Sequence, residues 1–343
     1  METVAKNIVE ISIAGKNITA DVSRYLSQIT YTDKEEAESD DLSLVFEDTA
    51  GKWKSAWYPT QGDTLRVKIG RPGHFLDCGL FEIDEIELNF PPDTLNVKAI
   101  GAGITKDLRT KNNKAFENQS LYDITKYFAG KHNLKIFGKY FGEQDAIMKN
   151  IKLLEGIKIE RKTQENQTDI SFLATLAKEY GIIFAVHGDC LVFNTIDELD
   201  ERRSILTINR NQMSTARFVD KTSQIYSSAI ILHRNARNNI VKKWEIKQPD
   251  GQDEKLGTLV VNANVESDDQ AGAVAKGSLK NANKDKIKGS FTIFGNTKLV
   301  AGVNIDLTGI GKFSGKWHII SSSHTVEPSG GYTTSVEVRK IME

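Results

Sequence analysis

Residues Gly79–Ala99 read GLFEIDEIELNFPPDTLNVKA, and residues Gly315–Arg339 read GKWHIISSSHTVEPSGGYTTSVEVR. Both alternate apolar and polar residues with the period of two that a half-buried strand requires. In the first, Phe81 and Ile83 fall on odd positions while Ile86, Leu88 and Phe90 fall on even ones. The inward face therefore changes phase at Asp84 and Glu85, which a β-bulge there explains. Pro91, Pro92 and Asp93 then turn the chain into another alternating run, Leu95, Val97, Ala99.

The two stretches also match each other. Gly79, Phe81, Ile83, Leu88 and Pro92 stand at one constant spacing from Gly315, Trp317, Ile319, His324 and Pro328. Leu95, Asn96, Val97 and Lys98 meet Val336, Glu337, Val338 and Arg339 after a slightly longer second turn, and Gly62, Leu65 and Val67 parallel Gly302, Ile305 and Leu307. Half-burial alone aligns alternating positions of unrelated meanders, but glycine, aromatic and proline in register are harder to obtain that way. The reading is an internal duplication of a β module.

Working outward, Leu42, Leu44 and Phe46, and again Leu65, Val67 and Ile69, continue the strand pattern through the first third. The middle third changes character. Ser120 and Asp123 form a capping-box-like start to a short helix with Leu121, Ile124 and Phe128 on one face and Gly130 as its stop. A second helix starts at Thr168 and Asp169, buries Ile170, Leu173, Leu176, Ala177 and Tyr180, and ends at Gly181 before a hairpin over 182–193 that turns at Gly188 and Asp189. The last third returns to strands, with one helix that Asp268 caps and that turns Ala271, Val274, Ala275 and Leu279 inward. The expected fold is α+β and mostly β: a β-barrel module over 1–101, an α/β module over 102–212, and a second β-barrel module over 213–343 with one inserted helix. The strand-like stretch from Gln224 to Leu232 could pair back onto the first barrel, so the modules are expected to interleave.

Composition narrows the function. A chain of 343 residues exceeds what one hydrophobic core holds, about 250 to 300 residues, so several units are expected. With 45 Lys and Arg against 46 Asp and Glu, the net charge of −1 gives no electrostatic footprint for wrapping nucleic acid or an anionic membrane. Cys78 and Cys190 form no CxxC pair and read as reduced thiols. Met1–Gly15 lacks a basic region followed by an apolar run, and nowhere do about 18 apolar residues run together, so neither an export signal nor a membrane span is expected.

The chain resembles the late control D family, the baseplate hub proteins of contractile phage tails, R-type bacteriocins and related injection systems, and is similar to the amino-terminal hub part of type VI secretion spike proteins. Three signatures carry the resemblance. The first is Ile18, Thr19, Ala20, Asp40, Asp41, Leu42, Glu47, Asp48, Gly51, Trp53, Trp57, Pro59, Gly62 and Asp63. The second is Arg161, Gln164, Asp169, Phe172, Leu173, Leu176, Ala177, Tyr180 and Gly181, followed by Leu191, Val192 and Phe193. The third is Gly302, Gly309, Gly311, Phe313, Gly315, Trp317, Ile319 and His324, ending in Tyr332, Thr333 and Thr334. The resemblance implies barrels like those of tail tube proteins and a homotrimer around a central channel, with a tail tube above, a spike protein below, and other baseplate proteins and a tape measure protein as further partners. Its place would be the baseplate of a phage virion or phage-tail-like particle, made and assembled in bacterial cytoplasm. The chain stops soon after the second β module, without a needle, β-helix or lysozyme-like insertion, so spike and wall-cleaving roles are expected to fall to other proteins.

No catalytic, cofactor-binding or metal-binding residue is assigned. His74, His132, His187, His233, His318 and His324 show no HExxH or close ligand pair, and metal ligands must converge on one point. Asp84, Glu85 and Glu87 cluster carboxylates, as acid–base chemistry needs, yet beside a bulge they fit a solvated face. Gly309, Gly311, Gly315 and Lys316 imitate a phosphate loop with Trp317 where Ser or Thr belongs and a strand where a helix belongs. Gly101, Ala102 and Gly103 imitate a dinucleotide turn with Lys106 where the last glycine belongs. Arg234, Arg237, Lys242 and Lys243 fit a charge-protected strand edge better than a nucleic-acid contact. The expectation is a structural protein. The alternatives are a cell-wall-acting hydrolase of a tail tip and a carbohydrate-binding module using Trp53 and Trp57.

Overall fold

A computed structural model describes residues 8–36, 39–71, 73–102, 108, 110–136, 151–187, 190–223, 225–235, 240–247, 256–262, 268–327 and 331–342. Alternation in the first third yields β1 (Ile8–Ile13), β2 (Lys16–Asn17), β3 (Leu26–Lys34), β4 (Asp41–Glu47), β5 (Thr64–Arg71), β6 (His74–Asn89) and β7 (Thr94–Gly101), with one turn of helix α1 (Thr19–Val22). The middle third holds β8 (Lys111–Ser120), α2 (Leu121–Lys131), β9 (Lys135–Ile136), β10 (Lys158–Thr168), α3 (Asp169–Glu179), β11 (Ile182–His187), β12 (Cys190–Thr195) and α4 (Ile196–Glu201). The remainder is β13 (Ser204–Asn209), β14 (Met213–Asp220), β15 (Tyr226–Asn235), β16 (Ile240–Lys247), β17 (Gly257–Asn262), α5 (Asp268–Asn283), β18 (Ile287–Phe294), β19 (Asn304–Thr308), β20 (Gly315–Glu327) and β21 (Gly331–Lys340). The mostly β, α+β class expected from the patterning is the class observed.

One 13-stranded sheet runs through both ends of the chain in the order β14-β18-β21-β20-β3-β4-β7-β6-β5-β1-β2, with β19 on β20 and β13 on β19. Its two arms share local geometry. On β6 the ladder to β7 steps from Ile83↔Ala99 to Glu85↔Lys98, leaving Asp84 as the extra residue. On β20 the ladder to β21 steps from Ile319↔Val338 to Ser321↔Glu337, leaving Ile320 extra. In each arm the residue before the bulge is gripped alike. Gly62 N–H donates to Ile83 O at 2.8 Å and Ile83 N–H to Asp63 O at 3.0 Å; Gly302 N–H donates to Ile319 O at 2.9 Å and Ile319 N–H to Val303 O at 2.9 Å. Both glycines sit at positive φ, 87° and 80°, a conformation costly for a residue with a Cβ.

Each arm buries its own core. Leu42, Leu44, Phe46, Leu65, Val67, Phe81, Ile83, Leu95 and Val97 form one; Phe291, Ile305, Leu307, Trp317, Ile319, Val336 and Val338 form the other. Beyond the Asp84 bulge the expected inward face holds only at Ile86, which is half-buried. Leu88 and Phe90 are exposed, because this end of β6 outruns the core it packs on. The register of β3 against β20, Ile29↔Val326 through Lys34↔Ser321, joins the arms.

A buried polar seam reinforces this junction. Asp33 accepts from Ala301 N–H at 2.8 Å, and Glu35 Oε1 lies 2.5 Å from His318 Nε2. His318 Nδ1 faces Asn304 Oδ1 at 2.6 Å, and the Asn304 amide donates to the carbonyls of Leu199 and Arg202, tying the end of α4 to the same knot. Nearby, His324 Nε2 donates to Leu299 O at 2.9 Å while Nδ1 accepts from the Tyr332 hydroxyl at 2.7 Å, the pattern of a neutral imidazole.

In the middle segment the ribbon β8–β10 and the small sheet β11-β12-β9 pack with α2 and α3 around Phe116, Phe128, Phe172 and Leu176. The capping box at Ser120 and Asp123 is formed, and Thr168 caps α3. The helix α2 runs one residue past Gly130, to Lys131. Asp169, with no exposed surface, accepts from Gln164 at 2.7 Å, Lys131 at 2.6 Å and Asn112 at 3.1 Å and meets His132 Nε2 at 2.7 Å. Burial pushes its carboxyl up, but hydrogen bonds from Gln164, Lys131 and His132 outweigh that and hold it below the usual range. The strand β15 pairs with β16 and β17, with α5 packed on it through Ala271, Val274, Ala275 and Leu279, rather than with the first arm. The aliphatic spacing of β15 allowed either partner. The strand β13, within the expected middle segment, pairs parallel to β19. Gly188, Asp189, Gln224 and Pro328, and the side chain of Asp268, lie outside the described residues.

Three stability predictions follow from these contacts. Trp317 is fully buried, so Trp317→Ala lowers unfolding free energy by about 3 to 5 kcal/mol in denaturant titration, and an unchanged midpoint removes it from the core. Asp169→Ala strands the Lys131 and His132 donors and costs about 3 to 5 kcal/mol, read by the same titration. Burial lowers the His324 pKa from 6.5 to about 4. The unfolded chain therefore takes up a proton that the native state refuses, and stability falls as pH drops from about 6.5 toward 4, by about 3 kcal/mol in full. His324→Asn should flatten that slope; an equal slope in both proteins excludes His324 as its source.

Candidate assembly surfaces

An antiparallel ladder puts directly opposed residues on one face. Opposite the cores, one row across the long sheet reads Phe294, Thr333, Thr325, Thr30, Ser43, Lys98 and Glu85. The next reads Thr215, Thr292, Ser335, Ser323, Thr32 and Asp41. A third reads Arg217, Ser290, Glu337, Ser321 and Lys34. The hydroxyls engage one another: Thr292 with Ser335 at 2.8 Å, Thr32 donating to Ser323 at 3.2 Å, and Thr30 with Thr325 at 3.4 Å. Two charged pairs lie on it, Lys34 with Asp41 at 2.9 Å and Lys98 with Glu85 at 2.9 Å, and the Glu85 hydrogen bond holds the Lys98 ammonium above its usual range; Arg217 and Glu337 stand on the same face. A groove of about 700 Å³ runs along this face past Thr32, Ser323, Ser335, Thr292 and Thr215.

Among the described residues the sheet has three terminal strands, β14, β13 and the β1–β2 end, and β13 pairs only with β19. Among the described residues β14 pairs only with β18, and β1 closes the other end with the two-residue β2. Most of β14 is exposed, including Val219 and Arg217. Unpaired N–H and C=O groups on such strands are templates for pairing with another chain.

Asp84 is exposed at the bulge, Glu85 is paired with Lys98, and Glu87 accepts from Asn96 at 3.3 Å, so the three line a solvated face. Gly309, Gly311 and Gly315 turn the chain at positive φ into β20. His318 and His324 are buried hydrogen-bonding groups. Trp53 is buried against Phe46 with ring centroids 4.2 Å apart, and Trp57 is half-buried and meets Tyr25 edge-on, so neither ring presents an open stacking platform. Cys78 and Cys190 are buried, and burial pushes the Cys78 thiol well up. Among the described residues no three His, Cys, Asp or Glu side chains converge as metal ligands, and no helix is long and apolar enough to cross a membrane. Gly103, Lys106, Arg237 and the side chains of Arg234, Lys242 and Lys243 lie outside the described residues.

No protein-family model matches the chain. Curated relatives do. The probable baseplate hub protein of Escherichia phage P2 is 28% identical over 184 residues, 53% of this chain and 44% of that protein. That of Escherichia phage 186 is 24% identical over 252 residues, 72% of this chain and 58% of that protein. The chain thus matches about half the length of these relatives. Among solved structures, the 43 kDa tail protein of prophage MuSo2 from Shewanella oneidensis superposes with a TM-score of 0.70 at 16% identity, covering 97% of this chain and 98% of that one. The tail protein from Neisseria meningitidis gives 0.70 at 12% identity over 98% and 97%. An Escherichia coli type VI secretion component, itself described as similar to T4 tail proteins, gives 0.57 at 11% identity over 93% and 74%. The chain therefore resembles phage baseplate hub proteins in sequence and has the fold of phage tail proteins.

Proposed function

We propose that the chain is a structural, non-enzymatic baseplate hub of a phage virion or phage-tail-like particle. Three copies form a ring of six similar β modules that adapts a sixfold tail tube to a threefold spike and keeps a central conduit open. The modules are those near residues 1–101 and 213–343, with β13 drawn into the second and the α/β module near 102–212 between them. The observation that carries this reading is the paired geometry of the two arms: a bulge one residue after a buried isoleucine, and a positive-φ glycine donating to that isoleucine. The similarity to the P2 and 186 hub proteins supports it.

Two units per chain and three chains give both symmetries at once, and closed rings need self-consistent edges. The free edges at β14 and β1–β2 supply them by strand addition between subunits. The hydroxyl face, with Lys34 and Lys98 neutralised by Asp41 and Glu85 and Arg217 confined to its β14 margin, suits a wall past which a polymer moves with little sticking, since unpaired cations would hold phosphates. Tube protein, spike protein, other baseplate proteins and a tape measure protein are the partners this role requires. Among the described residues Asp84, Glu85 and Glu87 line a solvated face rather than a cleft, and Trp53 and Trp57 offer no open stacking platform, so neither the hydrolase nor the carbohydrate-binding alternative is favoured.

Light scattering on the purified chain, alone and mixed with its particle's spike protein, should give three times 38.2 kDa in at least one sample. A monomer in both overturns the hub reading.

A further inference from the structure

One end of the long sheet gathers aromatic side chains. The two most exposed large hydrophobic residues among those described lie there, Phe294 at 87% as the last residue of β18 and Phe90 at 73% just after β6 ends at Asn89. Their common end follows from register: Phe294↔Thr333↔Thr325↔Thr30 on one side, and Asn89↔Thr94↔Glu47 on the other. Between them, on the loop leaving β4, Trp57 meets Tyr25 edge-on, Lys52 lies over both rings, and Tyr58 is half exposed. Six strand steps of about 4.8 Å separate β18 from β6, about 29 Å across the strands, and Phe90 stands five residues, about 17 Å, further along the strand direction than the Phe294 row, which meets β6 at Glu85. The opposite end of the sheet is occupied by the chain itself, through Glu35 with His318 and Glu36 with Lys284.

The loop is not shared by the two arms. From the end of β4 to Gly62 the connection is residues 48–61; from the end of β18 to Gly302 it is residues 295–301, half as long and without an aromatic residue. We infer that this aromatic rim is the docking surface for the threefold partner of the ring, the spike protein. The inference rests on the trimeric hub reading. In a ring of three chains a feature of both modules recurs six times, and a feature of the first module alone recurs three times. A threefold partner buries every copy of the loop, whereas a sixfold partner finds it under alternate subunits only. Aromatic residues are enriched at protein–protein contacts, and Trp and Tyr are among the residues that carry most of their binding energy.

The test is capture of the particle's purified spike protein, and separately of its tube protein, by the full-length chain carrying Tyr58→Glu with Phe90→Glu, or the milder Phe90→Ser. Both sites are exposed, so melting temperature and oligomer mass should match the wild type. Spike capture should fall by about tenfold or more while tube capture holds. Unchanged spike capture, loss of tube capture instead, or loss of the trimer itself overturns the assignment. A wild-type chain that stays monomeric with either partner sinks the hub reading and the rim with it; a wild-type trimer indifferent to the rim changes sinks the rim alone.

Discussion

The antiparallel pairing of β3 with β20 is the contact on which the rest depends, because it makes one sheet out of segments from opposite ends of the chain. Pairing of strands so far apart in sequence carries a large loop-closure cost, and its register must be specified strongly to be unique. Specification comes from both faces. On the hydroxyl side Thr30 and Thr32 find Thr325 and Ser323; on the buried side Asp33 takes the Ala301 N–H and Glu35 takes His318. A slip of one residue would bury Thr32 and Lys34 and expel Asp33 and Glu35 from their donors. The buried Glu35–His318–Asn304 chain adds little as attraction, since desolvation opposes it, but any alternative register leaves its members unpaired at a cost of several kcal/mol. It therefore selects the register more than it strengthens it.

The two bulges convert that register into architecture. Before Ile320, Trp317 and Ile319 point into the core of the last third; after it, Ser322, His324 and Val326 turn inward, and Val326 packs with the core of the first third. One strand thus serves two cores, which a straight strand of fixed phase cannot do. On β6 the equivalent bulge at Asp84 has a different outcome. The residues beyond it find no second core, and Leu88 and Phe90 are left at the rim. The same local device therefore joins modules in one arm and presents side chains in the other.

Much of this was legible from residue order. Period-two alternation located the buried faces of β4, β5 and β7, the phase change at Asp84 revealed the bulge, and Ser120, Asp123 and Thr168 marked helix starts. What alternation does not encode is the partner of a strand. Hence the β3–β20 pairing, the Glu35–His318 contact and the separate sheet around β15 could not be read in advance. The hydroxyl rows were hidden for the same reason, since Thr32, Ser323, Ser335 and Thr292 form a surface only once four registers are known. Gln164 and Asp169 were read as part of a family signature; their contact shows why the two types occur together, as a buried carboxylate and one of its donors. The crossing of α3's end with α5 was likewise beyond pattern reading. A Cβ on Gly277 would lie 2.7 Å from Tyr180 O, so glycine is needed there by a neighbour almost a hundred residues away.

The wet face of the sheet is itself a physical choice. A solvent-facing antiparallel sheet is usually covered with Lys and Glu, whose length and charge keep it soluble. Here the central rows are Ser and Thr; the β-branched threonines suit the strands, and the hydroxyls bond across them. Cross-strand bonding occupies donors that would otherwise seek a ligand, and short side chains leave space above the sheet. Of the longer charged groups, Lys34 is held by Asp41 and Lys98 by Glu85. The central rows of such a face have little to offer a docking protein, which needs apolar anchors, and little to hold a polyanion, which needs cations; Arg217 lies outside them, on the edge strand. The anchors stand instead at the rim, so the sheet separates a surface that should bind from a surface that should not, and does so with strands that contribute to both.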